Sequence, residues 1–464
     1  MLFSSITFLY YFLPIVLILY FISPKVLKNT VLLIASLTFY AWGEPKYVIL
    51  MAVTILCGYV CGLLIEKFRG KTGAKIALGA SAVISLGFLA YFKYADFFIE
   101  NFNAATGLSV PMLRLALPIG ISFYTFQILS YTIDVYRGNV AAQRNIISLA
   151  AYVSLFPQLI AGPIVRYSDV AQQLSVRTHS VSGAALGIRR FLLGLAKKIF
   201  IANALGELCA EFHATEDNSV LFCWLYGIAY SLQIYFDFSG YSDMAIGLGK
   251  LFGFDFMENF NYPYISKSVT EFWRRWHISL GSWFRDYVYI PLGGNRGSKL
   301  KWLRNILIVW LLTGFWHGAA WNFIVWGLFF AVFLVAEKLF LLKYLQKSKV
   351  LSHIYVLLLA IVSFVIFGAA DMGQAWQELL GMAGLRGLPL VSAEALYYLR
   401  SYAFILILGC VGATPLPKKL ASLAQEKAGT VMAIAESVVL AAFLLTATSY
   451  LVNGSFNPFL YFRF

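Results

Sequence analysis

The sequence predicts an all-α integral membrane protein of about twelve spans, with re-entrant and interfacial helices in addition. Three observations carry that expectation. Of 464 residues, 60% are hydrophobic and 12% charged, where a soluble domain carries about a quarter charged residues. Apolar runs of spanning length, about 17 to 25 residues, recur along the whole chain. Basic residues fall in alternate connections between these runs, which is the positive-inside pattern. In lipid the backbone must satisfy its own polar groups, and hydropathy this strong per segment excludes the weakly alternating strands of a barrel.

Taken in order, the runs fall near 3–22, 29–43, 46–65, 76–95, 112–134, 185–208, 218–236, 303–320, 322–342, 353–370, 398–415 and 430–452. The first lacks the basic leader and small-residue cleavage site of a signal peptide, so it is read as a retained span. The second is short. The run 145–162 is also apolar, but Phe156-Pro157 interrupts it and Gly162-Pro163 closes it. A proline inside a helix removes a backbone bond and clashes with the preceding turn, so this segment is expected to be re-entrant or kinked. The chain reads as one membrane-embedded domain over 1–464, with N-terminal spans over 1–135, a core over 136–345 that holds His277 and His317, and C-terminal spans over 346–464.

The net charge of +14 would suggest nucleic acid in a soluble protein, but its placement assigns it to topology, and no nucleic acid partner is expected. Basic residues cluster at Lys25 and Lys28, at Lys67, Arg69, Lys71 and Lys75, through 267–304, around 343–349 and at Lys418-Lys419. The connection 96–111 and the acidic stretch Glu207, Glu211, Glu216 and Asp217 lack that excess. The N-terminus is therefore expected outside, with the basic loops in the cytoplasm. Cys57, Cys61, Cys209, Cys223 and Cys410 are odd in number and have no metal spacing; Cys57 and Cys61 read as small packing residues on one helix face. No phosphate-cradling glycine loop of the nucleotide-binding kind, nucleophile elbow, Cys-x-x-Cys or 20- to 50-residue repeat is present, and no metal is expected.

Between 236 and 304 the apolar runs give way to a stretch dense in Gly, Asp, Asn, Trp, Tyr and Arg, which must line something. Its first constellation, Gln233-Ile-Tyr-Phe-Asp237-Phe-Ser239-Gly-Tyr241-Ser242-Asp243, sits at the end of a span. It reads either as a helix-end network capping a following helix over 244–254 or as the polar wall of a reaction chamber or a partner for a nearby arginine. In the second, over 269–290, Trp273, Trp276, Leu280, Trp283 and Tyr287 recur at helical spacing while Arg274, Arg275 and Arg285 fall off the stripe. That is the pattern of a helix lying along the membrane interface, with aromatics at the headgroup boundary. His277 sits beside the stripe, either packing or working. The run Pro291-Leu-Gly-Gly-Asn-Arg-Gly297 that follows is a phosphate-binding turn or a plain loop. The third constellation is His317, flanked by Gly314 and Gly318, with Trp316, Trp321 and Asn322 nearby. An imidazole at membrane depth is a functional candidate by default, and a general base of this kind suits acyl transfer to a hydroxyl. A histidine bonding an adjacent helix is the plainer alternative.

The run from Phe272-Trp-Arg-Arg-Trp-His277 to Gly297, followed by Thr313-Gly-Phe-Trp-His317-Gly, resembles the membrane-bound O-acyltransferase superfamily, in its bacterial alginate O-acetylation branch. Further likeness lies in Tyr235-Phe-Asp237-Phe-Ser-Gly-Tyr-Ser-Asp243, in Phe156-Pro-Gln-Leu-Ile-Ala-Gly-Pro163-Ile-Val-Arg166-Tyr, in Leu117-Pro-Ile-Gly-Ile-Ser-Phe-Tyr-Thr-Phe126-Gln and in the ending Asn457-Pro-Phe-Leu-Tyr-Phe-Arg-Phe464. The resemblance implies tilted helices around a central chamber or tunnel. It implies transfer of an acyl group, here acetyl, from a cytoplasmic thioester across the membrane to an exported or cell-surface polysaccharide. His317 is the residue it implies as catalytic and His277 the second histidine.

On that footing the chamber is expected to be formed by Trp273, Arg274, Arg275, Trp276, Arg285, Asp237, Asp243, Trp316 and Asn322. Arg274, Arg275, Arg285 and Lys299 would attract a polyanionic donor. His317 would act as general base on the acceptor hydroxyl, while His277 or nearby Trp, Tyr and Asn donors hold the thioester carbonyl. No cofactor is expected to be resident; acetyl-CoA or an acylated carrier protein would be the donor substrate. The expected partners are the lipid bilayer, that donor, an extracytoplasmic acetyltransferase and the polysaccharide, in the inner membrane of a bacterium. Three alternatives stand beside this reading: D-alanyl transfer to teichoic acid, transport or flipping of the polysaccharide, and a structural scaffold in an export complex. A transporter predicts paired inverted repeats, whereas the polar segment occurs once.

Overall fold

The computed structural model describes residues 1–216, 218–454 and 460, and every regular element among them is helical. Six of these helices are long and apolar enough to cross a membrane: Pro45–Lys67, Thr72–Thr106, Trp321–Leu345, Lys349–Gly368, Ala393–Gly412 and Leu416–Val452. Phe8–Ile22 is a shorter apolar helix. Asp217 of the acidic stretch lies outside the described residues, as does the ending 457–464 apart from Leu460. The chain forms two compact units, residues 1–191 with 244–257 and residues 192–243 with 258–464.

In the first unit, Phe3, Phe8, Phe12, Phe39, Phe156 and Phe252 form a buried aromatic centre. The helix expected over 112–134 begins only at Ile121, because Pro118 and the left-handed Gly120 (φ 75°) precede it. Helix Ile146–Ser154 stops one residue ahead of Phe156-Pro157, and a single turn, Phe156–Leu159, follows. At 1.5 Å per residue a nine-residue helix covers about 14 Å, less than half the hydrocarbon core. The backbone groups freed by the break find partners: Phe156 N–H donates to Ser36 Oγ at 3.1 Å, and Gln158 Nε2 donates to the Tyr152 carbonyl at 2.6 Å.

Two expectations are corrected in the later part of the chain. No new helix begins after Asp237; one 32-residue helix, Val220–Leu251, runs straight through the polar constellation. Asp237 and Asp243 do not cap a helix but meet Lys198 and Lys197. Those lysines lie in a π-helical turn, Lys197–Ala202, and Gly240 lets the two backbones approach, since a Cβ there would stand 2.8 Å from the Gly194 carbonyl oxygen.

The second correction concerns 269–290, which is not one continuous helix. Ser268 caps a short helix, Val269–Arg275, the chain leaves helical geometry at Trp276 and His277, and a second helix runs Ile278–Phe284. His277 takes a left-handed backbone (φ 44°), which shifts the register of the aromatics. Trp276, Leu280, Trp283 and Tyr287 are buried against protein. Of the expected acidic loop, Glu207 and Glu211 lie on the helix Asn203–Ala214.

Candidate functional site

Helix Lys299–His317, capped by Ser298, carries His317 on its last turn. It crosses Trp321–Ala336 at glycine contacts: a Cβ on Gly314 would meet the Phe323 carbonyl oxygen at 2.4 Å, and one on Gly327 the Trp310 carbonyl oxygen at 2.3 Å. The small residues around His317 therefore admit the neighbouring helix. That crossing sets the His317 ring 5.0 Å from Trp326 and 5.2 Å from Phe367, centroid to centroid, edge to face in both cases. Trp316 stands 4.9 Å from the His317 ring and 5.8 Å from the His277 ring. One indole thus touches both histidines, and both imidazoles are buried.

His277 is held more closely than its sequence position suggests. Asn259 Oδ1 accepts from Ser279 N–H at 3.2 Å and from Ser279 Oγ at 2.9 Å. A backbone N–H can only donate, so the amide oxygen must face that way. The same oxygen lies 3.2 Å from His277 Nδ1, which must therefore carry the proton and donate. Nε2 is left with its lone pair, buried and with no hydrogen-bond partner among the described residues. The left-handed backbone of His277 is a further cost in free energy for a residue with a Cβ, and strain of this kind gathers at working sites. Phe238 closes one side of the ring at 4.7 Å.

Around the histidines lies an aromatic cage. Trp273 packs on Trp310 at 4.7 Å, Phe330 at 4.9 Å and Trp326 at 5.6 Å. The indole N–H groups of Trp273 and Trp326 are buried and have no acceptor among the described residues. Trp276 packs instead with Phe272, Phe260 and Phe364, in the core behind the cage. Asn322 Nδ2 donates to the Ala369 carbonyl at 3.0 Å, at the end of Lys349–Gly368. Its donor is engaged in holding that helix end.

The charged candidates separate. Lys198 and Asp237 are both fully buried and 2.6 Å apart, and Asp237 also accepts from Leu460 N–H at 2.9 Å; Lys197 and Asp243 are 2.7 Å apart. Both carboxylates are neutralised by lysines that sequence reasoning had not singled out. Arg275 grips Glu271 (Nη2 at 2.9 Å, Nε at 3.0 Å) and the Asn261 carbonyl, and Arg285 pairs with Asp286. Arg274 is exposed and has no carboxylate partner among the described residues. In the glycine turn, the N–H groups of Gly293, Gly294 and Arg296 donate to nearby carbonyls, and Asn305 holds the Leu292 and Gly294 carbonyls. The turn uses those N–H groups internally, as a plain loop does.

Asn259 and Trp326 were absent from the sequence reading. Asn259 sits 18 residues from its histidine, and Trp326 lies within an apolar run where an indole reads as packing.

Comparison with known proteins follows the same lines. The family model of the membrane-bound O-acyltransferase family matches residues 39–368. A protein of Azotobacter vinelandii named "Probable alginate O-acetylase AlgI" is 41% identical, covering all of both chains. A peptidoglycan O-acetyltransferase of Helicobacter pylori is 35% identical over 86% of this chain and 83% of its own. A teichoic acid D-alanyltransferase of Bacillus subtilis is 33% identical over 54% of this chain and 67% of its own.

Proposed function

Because the chain belongs to the membrane-bound O-acyltransferase family, we propose that it moves an acetyl group from a cytoplasmic thioester to an outer-face acceptor, for O-acetylation of an exported or cell-surface polysaccharide. The observation that carries this reading is the pair of buried imidazoles touching one indole inside an aromatic cage. We read the fold as about twelve spans around a central chamber, in the inner membrane of a bacterium with the N-terminus outside. The polymer-acetylating relatives cover nearly the whole chain, whereas the D-alanyl relative covers about half, which favours acetyl over D-alanyl.

In the proposed step the acceptor hydroxyl gives its proton to the neutral His317 imidazole while its oxygen attacks the thioester carbonyl. Negative charge gathers on that carbonyl oxygen. The intermediate collapses, the C–S bond breaks, and the imidazolium returns its proton to the departing thiolate. His277 cannot hold the oxyanion while neutral, since its proton sits on Nδ1 against Asn259; its bare Nε2 can only accept a hydrogen bond. The donors we assign to the oxyanion are the indole N–H groups of Trp273 and Trp326. Arg274 is the exposed charge best placed to draw an anionic donor; Arg275 and Arg285 already face carboxylates. An extracytoplasmic acetyltransferase would take the acetyl group onward.

The test is mass spectrometry of surface polysaccharides from cells with and without the gene. Loss of O-acetyl groups on deletion supports the reading. Loss of D-alanyl esters alone would replace acetyl with D-alanyl, and a missing polymer with unchanged substitution would favour transport.

A further inference from the structure

Far along the chain from the histidines, the first unit gathers a second set of cations. The apolar helix ends at Ile22, and Lys25 and Lys28 follow within six residues. Lys28 Nζ lies 4.5 Å from the Tyr20 ring centroid and 5.3 Å from that of Phe21. The Arg177 guanidinium lies 4.6 Å from the Phe254 ring and 5.8 Å from that of Tyr20. His179 Nε2 stands 3.0 Å from the Tyr20 hydroxyl, which donates to the Phe252 carbonyl at 2.9 Å. Gly253 (φ 81°) brings the backbone beside Arg177 and His179, where a Cβ would meet both at 3.2 Å.

Like charges this close repel each other, yet no carboxylate compensates them. Among the described residues none forms an ion pair with Lys25, Lys28, Arg177 or His179, and the groups acting on Arg177 include the Tyr20 hydroxyl but no acid. Arg177 donates from Nη2 to Asn29 Oδ1 at 2.7 Å and acts on the Tyr20 hydroxyl, while Nη1 is buried with no hydrogen-bond partner among the described residues. A buried guanidinium N–H without an acceptor costs free energy unless an anion meets it. Beside the cations lie apolar side chains turned outward, among them Ile22 at 73% and Val26 at 88% exposure. Cations with an unmet donor next to exposed aliphatic surface suit a phosphate that carries acyl chains, since basic pockets at helix ends hold lipid headgroups.

We propose that Arg177, Lys28 and the Tyr20–His179 pair bind the phosphodiester headgroup of an anionic phospholipid, whose chains lie along the helix Phe8–Ile22. The proposal does not rest on the acyl-transfer reading. It is tested by native mass spectrometry of the full-length protein, titrated with phosphatidylglycerol and separately with phosphatidylcholine. The expected result is one tight phosphatidylglycerol adduct, weakened about fivefold in Lys28→Gln and similarly in Arg177→Gln, and not displaced by millimolar inorganic phosphate. The Lys28 ammonium rests on the Tyr20 and Phe21 rings and forms no hydrogen bond among the described residues, so its variant reports even where Arg177→Gln disturbs folding. Equal binding of both lipids, or an adduct indifferent to Lys28→Gln, overturns the proposal. Full displacement by phosphate would make it a free-anion site and overturn the lipid assignment.

Discussion

At the scale of single residues, the tautomer of His277 makes the sharpest demand. Asn259 holds the ring with its Nε2 lone pair free, and partners that orient the imidazoles of metal sites in the same way typically carry 10- to 100-fold of function. Asn259→Leu should lower kcat by about that factor with KM little changed, while Asn259→Asp, which keeps an oxygen against Nδ1, should restore most of it. A kcat and pH profile unaltered in Asn259→Leu would remove the positioning role. Glu378 supplies a pH signature away from the site. It lies on Met372–Met382, outside the six spanning helices. Burial pushes its carboxyl up from 4.5 to about 7, although the Gln374 hydrogen bond and Arg386 pull it down; His213 Nδ1 is 3.7 Å away. The folded state therefore holds a proton that the unfolded chain releases near pH 4.5. The resulting stability is present in full below that value and is lost as pH rises through about 7. Glu378→Gln should flatten the fall in Tm between pH 5 and 8 and raise Tm at pH 8. An unchanged slope in the variant would show that another group governs it.

At the scale of elements, the crossing of Lys299–His317 over Trp321–Ala336 fixes where His317 stands. The obstacle to a Cβ at Gly327 is the backbone carbonyl of Trp310, which cannot swing away as a side chain would. Gly327→Ala should destabilise by about 1–3 kcal/mol and reduce transfer, whereas Gly429→Ala, with open space around it, should do neither. Equal Tm and activity for both would contradict the crossing. Hydropathy made the long helices legible in the sequence, and Pro157 made the interruption near 155 legible. The continuity of Val220–Leu251 was not, because the lysines that neutralise Asp237 and Asp243 lie about 40 residues earlier in the chain. The break at Trp276-His277 was hidden for a different reason. Left-handed backbone usually announces itself as glycine or asparagine, and here a histidine adopts it. The two histidines stood out because imidazoles are rare in apolar sequence, and Trp273 stood out in the aromatic stripe beside His277, while Trp326 was camouflaged by its own apolar run.

At the scale of the whole molecule, the account requires a donor side and an acceptor side. The basic turn Lys67, Arg69, Lys71 and the connection beyond Gly107 flank the same helix, Thr72–Thr106. Reporters fused after Gly70 and after Gly107 should read cytoplasmic and external; the reverse would invert the proposed direction of transfer. Direction alone does not make an acyltransferase of this chain, since a transporter or a scaffold could share the same topology. What separates them is chemistry at His317. The deciding measurement is the O-acetyl content of surface polysaccharide, by mass spectrometry, in cells that make wild-type or His317→Ala protein at matched abundance. A lost general base typically costs 10²- to 10⁴-fold in rate, so acetylation should fall to the level of cells lacking the gene, whereas wild-type acetylation in His317→Ala would contradict the mechanism at its centre.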